Sequence, residues 1–293
     1  MPELPDIACY VDALQSRIVG QPVQDVRIAG PSLLKTFDPP LEVLNERLVV
    51  EVRRLGKKIA IGVDGNLWIV LHLMIAGRLQ WKDVTGAALG KIGQAAIDFP
   101  HGTLLITEAS TKKRAGLWLV RSRDLKSHTP TGLDPLHCSE SEFIAAVRSE
   151  NRTLKRALTL QHLIAGIGNA YSDEILHKAQ LPPLQLTSNV TDGQLHRLFL
   201  SMKAVLADWI QRHAFNASEA WPSKVTAFHP KMAVHGRFGL PCPVCGAPVQ
   251  RICYAQNEAN YCAKCQNEGQ VYADRSLSRL LKDDWPTRIE DWD

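Results

Sequence analysis

The sequence has no long hydrophobic run, since no apolar stretch reaches the ~20 residues that a membrane-spanning helix needs. It also lacks the basic segment followed by an apolar segment that marks a secretory signal peptide. These absences predict that the protein has no membrane partner and is cytoplasmic. Because the cytoplasm keeps thiols reduced, we do not expect the seven cysteines to form a disulfide framework.

Internal repeats and low-complexity segments are also missing, and 293 residues are enough for two domains, each with its own core. The net charge of +4 is modest, but the basic residues are clustered. Such clusters favour a polyanionic partner, although a solvated basic face would give the same pattern. The clusters are Arg53, Arg54, Lys57 and Lys58, then Lys112, Lys113 and Arg114, and then Arg121, Arg123 and Lys126.

Hydrophobic periodicity differs between the two halves of the chain. Residues 6–19 are predicted to form an amphipathic helix that Asp6 caps and Gly20 ends. The next hundred or so residues contain short branched and apolar runs, such as RLVVEVRRLG and LWIVLHL, separated by glycine and aspartate. Several strands at short spacing predict a β-sandwich or a β-barrel.

A Pro/Gly-rich stretch, SHTPTGLDPLHC, predicts a linker, and beyond it the periodicity becomes helical. SESEFIAAVRS begins with a capping signature, and TLKRALTL and NAYSDEILHKA are also predicted helices. Residues 191–214 are predicted to form a long helix with an apolar stripe that packs in a core. The stripe consists of Leu195, Leu198, Phe199, Met202, Val205, Leu206 and Trp209.

Two Cys-x2-Cys pairs lie towards the C-terminus, Cys242 with Cys245 and Cys262 with Cys265. The 16 residues between the pairs are typical of a four-thiolate zinc site on a β-hairpin. Four ligands close a tetrahedral shell, so we predict one structural Zn²⁺ per chain that holds a hairpin too small to fold alone. Two redox-active pairs are the alternative, but thioredoxin-type motifs occur singly, between a strand and a helix.

The stretch LIAGIGNAYSDEIL has the features of a phosphate-binding turn. Gly166 and Gly168 bracket one residue, and Asn169 opens the predicted helix. Glycines let the backbone approach a ligand closely, and a helix N-terminus presents free N–H groups to an anion. A glycine turn capped by asparagine, without a ligand, remains the alternative from these residues alone.

Four motifs follow one another in a specific order: Pro2-Glu3-Leu4-Pro5, Gly56-Lys57, the turn Gly166-Ile167-Gly168-Asn169, and the four-cysteine hairpin. Together they resemble the formamidopyrimidine-DNA glycosylase and endonuclease VIII family of base-excision repair enzymes. The resemblance extends to about Asn267, and the PELP start is more similar to the formamidopyrimidine branch.

The resemblance implies a fold of the α+β class with two lobes. It comprises an N-terminal helix plus β-sandwich, then a helix-two-turn-helix domain and a C-terminal zinc β-hairpin. The predicted N-terminal part comprises the catalytic helix and β-sandwich domain at 1–128 and a linker at 129–138. The predicted C-terminal part comprises the helix-two-turn-helix DNA-binding domain at 139–235, the four-cysteine zinc finger at 236–270 and a tail at 271–293.

The resemblance also implies a function, namely a DNA glycosylase with β,δ-elimination lyase activity at abasic sites. It would act on oxidised or ring-opened bases in damaged double-stranded DNA, as a monomer in the bacterial cytoplasm and on the nucleoid. Removal of Met1 would expose the amine of Pro2, which attacks C1′ of the damaged nucleotide. Glu3 would be the general acid/base, and Lys57 would contact phosphate and the lesion.

Further positions match family residues that bind DNA or lie near the active centre. Asn169, together with Gly168, would bind a phosphate beside the lesion, and Glu174 and Asp6 match acidic positions near the active centre. Three more residues complete the predicted DNA contacts. They are Lys113, the adjacent Arg114, and Asn257 at the hairpin tip.

The sequence departs from the family where a flipped-out base is replaced and where phosphates are clamped. Ile75 falls at the usual methionine, Lys113 at an arginine, Ala115 at the phenylalanine wedge and Asn257 at the hairpin arginine. The loop NASEAWPSKVTAF also lacks the family's glycines. We therefore expect an active core with an unusual preference, for abasic sites, strongly distorted lesions or single strands.

Three alternatives remain open from the sequence. The enzyme could prefer oxidised pyrimidines, as endonuclease VIII does. The chain could instead bind damaged DNA with little turnover, which the loss of the wedge favours and the retained Pro2, Glu3, Lys57 and Asn169 oppose. A zinc-bearing transcription factor is the third, although no recognition helix is evident beside the cysteine pairs.

Overall fold

The computed structural model describes residues 1–217, 221–222, 229–254, 257–273 and 286–291. The described residues fall into two compact units. The first comprises Met1–Pro130 together with Trp209–Thr226, and the second comprises Thr131–Asp208 together with Ala227–Asp293. The first division falls inside the predicted linker 129–138, and the domain boundaries given above remain a prediction.

The first helix, α1 (Leu4–Ile18), begins two residues before the sequence-based expectation. Glu3 is its N-cap, and Asp6 is the third helical residue instead of the cap, because the two form a reciprocal capping box. Pro5 lies in the first turn, where its missing N–H costs nothing. Gly20 follows the helix with a positive φ of 80°.

Among the described residues of the first unit, eight strands form two four-stranded antiparallel sheets. In chain order they are β1 (Asp25–Ile28), β2 (Val49–Leu55), β3 (Lys58–Val63), β4 (Leu67–His72), β5 (Gly77–Lys82), β6 (Gly93–Phe99), β7 (Gly102–Glu108) and β8 (Gly116–Arg121). The sheet orders are β1-β6-β7-β5 and β2-β3-β4-β8. A single apolar core joins residues of both sheets and of α1, so the β-sandwich prediction is confirmed and the β-barrel alternative is wrong.

In the described part of the second unit, four α-helices precede the hairpin: α2 (Glu140–Arg148), α3 (Leu154–Thr159), α4 (Asn169–Ala179) and the first part of α5 (Asp192–Ala217). The predicted capping signature of α2 is present, because Ser139 and Glu142 form a capping box. The apolar stripe of α5 is buried except for Phe199, which is partly exposed. Among the described residues, no helix has the length and apolarity that crossing a bilayer requires.

The C-terminal part of the second unit is a two-stranded antiparallel hairpin followed by a short helix. The strands are β9 (Gln250–Tyr254) and β10 (Asn257–Tyr261), and the helix is α6 (Ala263–Gln266). A small apolar cluster that includes Ile252 and Tyr261 packs beneath the hairpin. An isolated two-stranded hairpin is marginal in water, so this one depends on other contacts for its stability.

Candidate functional site

The start of the chain is held inside the first unit. Met1 is 38% exposed, whereas Pro2 is buried and Glu3 is only 3% exposed. The Gly56–Lys57 turn between β2 and β3 brings in a lysine that is 9% exposed. Gly56 has φ 61°, a conformation that L side chains rarely adopt, so the glycine is what lets this tight turn form.

Burial also sets the electrostatics of this N-terminal cluster. Burial lowers the pKa of the Met1 α-amino group. The negative charge of Glu3 raises this pKa, and the positive charge of Arg78 lowers it, both to a smaller extent. Burial also lowers the pKa of Lys57, and the negative charge of Glu3 partly offsets this decrease. Both effects increase the fraction of neutral amine near neutral pH, and a neutral amine is the nucleophilic form.

Asp6 links the N-terminal cluster to another element of the same unit. One Asp6 carboxylate oxygen, Oδ2, accepts the Glu3 backbone N–H at 2.8 Å. The other, Oδ1, lies 3.2 Å from Nε2 of His213, a residue in the last turns of α5. The sequence analysis did not identify His213, because no local pattern relates the two positions.

The last residue of β4 is a histidine that lies opposite Lys58, the first residue of β3. His72 pairs in register with Lys58 of β3, whose Nζ donates to the His128 backbone oxygen at 3.0 Å. Burial, together with the charges of Lys58 and Lys57, lowers the pKa of His72 to about 4. The imidazole is therefore neutral in the folded protein at neutral pH.

The residues that follow β7 present two of the predicted DNA contacts. Arg114 and Lys113 are exposed, and the buried carboxylate of Glu108 accepts the Arg114 backbone N–H at 2.9 Å. The Lys113 ammonium group contacts the Glu108 backbone oxygen. Ala115, in contrast, is 3% exposed and belongs to the sandwich core, so it offers no surface wedge.

The turn between β4 and β5 presents Ile75, the residue aligned with the family's methionine. Its side chain is 54% exposed, while Met74 has a left-handed φ of 52°. Gly77 closes the turn, because its N–H donates to the Leu73 oxygen at 2.9 Å and a Cβ there would lie 2.2 Å from that oxygen. Ile75 is therefore an apolar side chain at a rigid turn.

The glycine turn predicted to bind phosphate lies at the start of α4. Gly168 is the N-cap, Asn169 is the first helical residue and is partly exposed, and Gly166 has φ 90°. The Gln161 side chain accepts the Gly166 N–H at 2.9 Å and donates to the Ile167 oxygen at 2.8 Å. Gln161, which the sequence analysis missed, thus braces a turn whose helical N–H groups are suited to an anion.

Glu174 has a structural role within the second unit. Its carboxylate accepts three consecutive backbone N–H groups, from Ala233 at 2.7 Å, Val234 at 2.9 Å and His235 at 3.0 Å. Burial raises the pKa of Glu174, and these three hydrogen bonds oppose the shift. The neighbouring Asp173 contacts the Lys155 ammonium group and lies 2.8 Å from Nδ1 of His235.

The four cysteines predicted to bind zinc come together in the second unit. All four Sγ atoms lie within 4.8 Å of one another, with 3.9 Å between Cys242 and Cys265 and 3.4 Å between Cys245 and Cys262. A tetrahedral ion with Zn–S bonds of about 2.3 Å would separate its sulfur ligands by about 3.8 Å. The donor set and its spacing therefore fit such an ion.

A histidine of α4 contacts this sulfur cluster. Nε2 of His177 lies 3.3 Å from Sγ of Cys242, and both residues are buried. Outer contacts of this kind orient metal ligands. The sequence analysis missed His177, because its position on the helix carries no signal for the cysteine pairs.

Three predictions concern residues that the structure does not fully describe. The backbone of Asn257 opens β10, opposite Tyr254, but its side chain lies outside the described residues. Most of the loop that lacks the family's glycines, residues 218–220 and 223–228, lies outside them as well. The same holds for residues 274–285 and 292–293 of the tail.

Sequence profiles of two domains match most of the chain. The formamidopyrimidine-DNA glycosylase N-terminal domain matches residues 1–115, and the formamidopyrimidine-DNA glycosylase H2TH domain matches residues 131–219. The chain is 30% identical to a formamidopyrimidine-DNA glycosylase of Thermus thermophilus, over 92% of this chain and 100% of the relative. It is 38% identical to an uncharacterised formamidopyrimidine-DNA glycosylase-like protein of Mycobacterium tuberculosis, over 52% of this chain and 94% of the relative.

Solved structures from Lactococcus lactis have the same fold. The wild-type Fpg (MutM) in complex with DNA containing an oxidised pyrimidine matches with a TM-score of 0.81 and 25% identity. The match covers 91% of this chain and 100% of that one. A complex of the Lactococcus Fpg with DNA containing an abasic site also has a TM-score of 0.81, with 24% identity over 90% of this chain and 99% of that one.

Proposed function

This chain belongs to the formamidopyrimidine-DNA glycosylase family, and we propose that it is a base-excision repair DNA glycosylase with β,δ-elimination lyase activity at abasic sites. The observation that carries the proposal is the burial of Pro2 and Glu3 at the chain start, together with the buried Lys57, whose pKa burial lowers and the charge of Glu3 raises in part. The full-length similarity to a Thermus enzyme and to Lactococcus structures bound to damaged DNA supports it.

The chemistry begins with the amine that removal of Met1 would expose on Pro2. Its nitrogen attacks C1′, the base leaves with the electrons of the glycosidic bond, and the sugar ring opens to an iminium. The iminium acidifies the C2′ proton, so the 3′ phosphate leaves by β-elimination, followed by the 5′ phosphate by δ-elimination. Glu3 carries protons to and from the sugar oxygen, and Lys57 supports the phosphate and the lesion.

A terminal amine suits this reaction better than an ordinary lysine. An α-amino group with a pKa of about 7.8 is roughly one-third neutral at pH 7.5, whereas a lysine with a pKa of about 10.4 is neutral about once in a thousand. With Met1 present, burial lowers the pKa of the Met1 amino group, and burial of Pro2 would act on its exposed amine in the same direction. The secondary amine of proline also gives a permanently cationic iminium, which is a strong electron sink.

The DNA contacts would come from the turns and loops of each unit. Asn169, beside the Gly168 N-cap, offers an amide and helical N–H groups to a phosphate. Lys113 and Arg114 offer exposed positive charge. Asn257 at the hairpin tip would also contact DNA. Its neutral amide stands where the family has an arginine that binds phosphate through two hydrogen bonds.

We assign Zn²⁺ to the four-cysteine cluster, one ion per chain, because four thiolates at these separations match its tetrahedral shell. Cys242, Cys245, Cys262 and Cys265 would fill every coordination position, so the ion would stabilise the hairpin and would not activate water. The same family membership leads us to infer a protein of the bacterial cytoplasm that is a monomer, and light scattering of the purified protein would test the monomeric state.

The proposed lesion preference rests on two residues that replace the family's gap-filling side chains. Ala115 is buried in the sandwich core, and Ile75 is exposed but short. Neither fills the volume that a flipped base leaves, so keeping a base extruded costs more free energy here. Abasic sites, strongly distorted lesions and single strands reduce that cost and should be the preferred substrates.

Borohydride trapping tests the proposed function directly. The protein is incubated with duplexes that contain an abasic site, an oxidised purine or an oxidised pyrimidine, and borohydride then reduces any iminium to a stable covalent adduct. We expect a strong adduct on the abasic site, with mass spectrometry placing the added mass on Pro2. An intact Met1, or an adduct elsewhere on the chain, would contradict the mechanism.

The buried Ala115 favours a second candidate, a protein that binds damaged DNA with little turnover. The two candidates differ in one result, because a binding protein retains affinity for the abasic duplex and forms no adduct. Adducts restricted to the oxidised pyrimidine would instead favour endonuclease VIII-like specificity.

A further inference from the structure

The proposed function leaves one buried pair without a role, namely Asp6 in α1 and His213 in the last turns of α5. Resting on that function, we propose that His213 is a positioning residue for the N-terminal nucleophile and acts through Asp6. His213 does not itself contact the reacting atoms in this proposal. His213 holds the Asp6 carboxylate in place, and this carboxylate holds the peptide group that joins Pro2 to Glu3.

The two oxygens of the Asp6 carboxylate have different partners. Oδ2 accepts the Glu3 backbone N–H at 2.8 Å, and Oδ1 lies 3.2 Å from Nε2 of His213. The Asp6 side chain is completely buried and that of His213 is 7% exposed. A carboxylate in such surroundings is costly unless donors satisfy it, and an imidazole N–H supplies one.

The imidazole is itself held in place by neighbours in the same unit. Its ring packs against Trp209, one turn earlier in α5, with 5.8 Å between ring centroids. The backbone oxygen of His213 accepts a weak hydrogen bond from the Cys9 thiol at 3.7 Å. α5 therefore contacts α1 at two points, and His213 can be a fixed reference for Asp6.

The consequence for Pro2 follows from covalent connection. The Glu3 N–H that Asp6 holds belongs to the peptide group that joins Pro2 to Glu3, so fixing it restricts where the proline ring lies. The same capping box holds the Glu3 side chain, which accepts the Asp6 backbone N–H. Asp6 thus positions both groups, the nucleophile through its carboxylate and the general acid/base through its backbone N–H, and reactivity depends steeply on such placement.

The test compares His213→Phe, which retains an aromatic ring without the donor, with His213→Gln, whose amide can still donate to Asp6. His196→Gln is the matched control, since His196 lies on the same helix and contacts Glu140 at 2.8 Å at an exposed site. Each variant is assayed by single-turnover borohydride trapping on an abasic duplex, over a range of protein concentrations.

We expect His213→Phe to lower the saturating trapping rate by about tenfold or more, with an unchanged half-saturating concentration. His213→Gln should recover most of that rate, and His196→Gln should behave as the wild type. A purely structural role would instead lower the melting temperature and the fraction of active protein. Equal saturating rates for the wild type and His213→Phe would overturn the proposal, as would equal losses for Phe and Gln.

A second measurement needs no DNA and separates this proposal from the proposed function. Hydrogen exchange of the Glu3 amide, followed by NMR on protein labelled with ¹⁵N-glutamate, should accelerate in His213→Phe and not in His196→Gln. If the wild type forms no adduct on any substrate, the proposed function fails. The hydrogen exchange of the Glu3 amide then tests by itself whether His213 positions Glu3 through Asp6. An unchanged exchange rate of the Glu3 amide in His213→Phe would show that His213 does not position Glu3.

Discussion

Glu3 has two tasks that compete for its carboxylate. It accepts the Asp6 backbone N–H and so helps to start α1, and in the proposed reaction it transfers protons at the sugar oxygen. Its charge also opposes the burial that lowers the pKa of Lys57. A change from carboxylate to amide therefore removes the proton transfer while retaining a hydrogen-bond acceptor at the same position.

We predict that Glu3→Gln slows base excision from a damaged duplex by at least about a hundredfold. The loss should be smaller on a preformed abasic site, because its sugar already opens to an aldehyde and needs less proton transfer. Single-turnover strand cleavage on the two substrates measures the difference. Glu51→Gln, at an exposed position of β2, is the control, and equal losses on both substrates would contradict the assigned role.

The burial of His72 against Lys58 and Lys57 makes the stability of the first unit depend on pH. Its pKa is about 4 in the folded protein, against 6.5 for an ordinary histidine. Between these values the unfolded chain binds more protons than the folded one, so the free energy of unfolding rises with pH across that window and levels off above it.

Replacing His72 with glutamine should remove about 2 kcal/mol of this pH dependence between pH 4 and 6.5, once partial exposure is discounted. Urea unfolding at pH 5 and pH 7 would measure it as a smaller difference between the two pH values in His72→Gln. The exposed His137→Gln serves as the comparison variant. An unchanged pH difference in His72→Gln would show that His72 is not the responsible group.

At the scale of elements, the hairpin of β9 and β10 is the part least able to stand alone. Each strand has five residues, and the apolar cluster beneath them is small. The sulfur cluster ties the turns before β9 and after β10 together, and the contact between His177 and Cys242 connects it to α4. The bound ion would therefore supply much of the hairpin's stability.

Removal of the metal should unfold the hairpin and leave the β-sandwich intact. We expect Cys262→Ser to lose the zinc and hydrogen-exchange protection in β9 and β10, while protection in β3 and β4 is retained. Cys138→Ser, which changes a buried cysteine outside the cluster, should retain one zinc per chain. Zinc stoichiometry and exchange mass spectrometry check both results, and a protected hairpin without metal would contradict the assignment.

For the whole molecule, the distribution of charge matters more than its sum. A net charge of +4 is small for 293 residues, yet the basic clusters are dense. Each phosphate that a lysine or arginine neutralises releases counterions, so affinity for DNA should fall steeply as salt increases. Because this contribution depends on the phosphate backbone alone, it should be similar for damaged and undamaged duplexes.

We predict that Arg114→Ala reduces the slope of log affinity against log salt concentration by about one, for every duplex tested. Lys91→Ala changes an exposed lysine of the loop before β6 and should leave the slope unchanged. Fluorescence anisotropy from 50 to 200 mM salt, a range of about fourfold, measures the slope. A loss specific to one lesion would show that Arg114 reads the base and not the backbone.

The sequence by itself determined the features that depend on near neighbours in the chain. The spacing of the cysteine pairs predicted the sulfur cluster, and the periodicity of NAYSDEILHKA predicted α4 with its observed bounds. Glycine and capping signals reflect local backbone geometry, so they can be read from a few residues. The start of α1 was misjudged by two residues, because a capping box involves both Glu3 and Asp6 and a single cap was assumed.

Only the tertiary structure decided which distant residues meet. The contact of His213 with Asp6, the hold of Glu174 on three backbone N–H groups and the buried position of Ala115 have no local signature. Sequence periodicity reports neighbours three or four residues apart in a helix and two apart in a strand. A buried polar pair instead forms where packing excludes water from two distant segments and each must satisfy the other's hydrogen bonds.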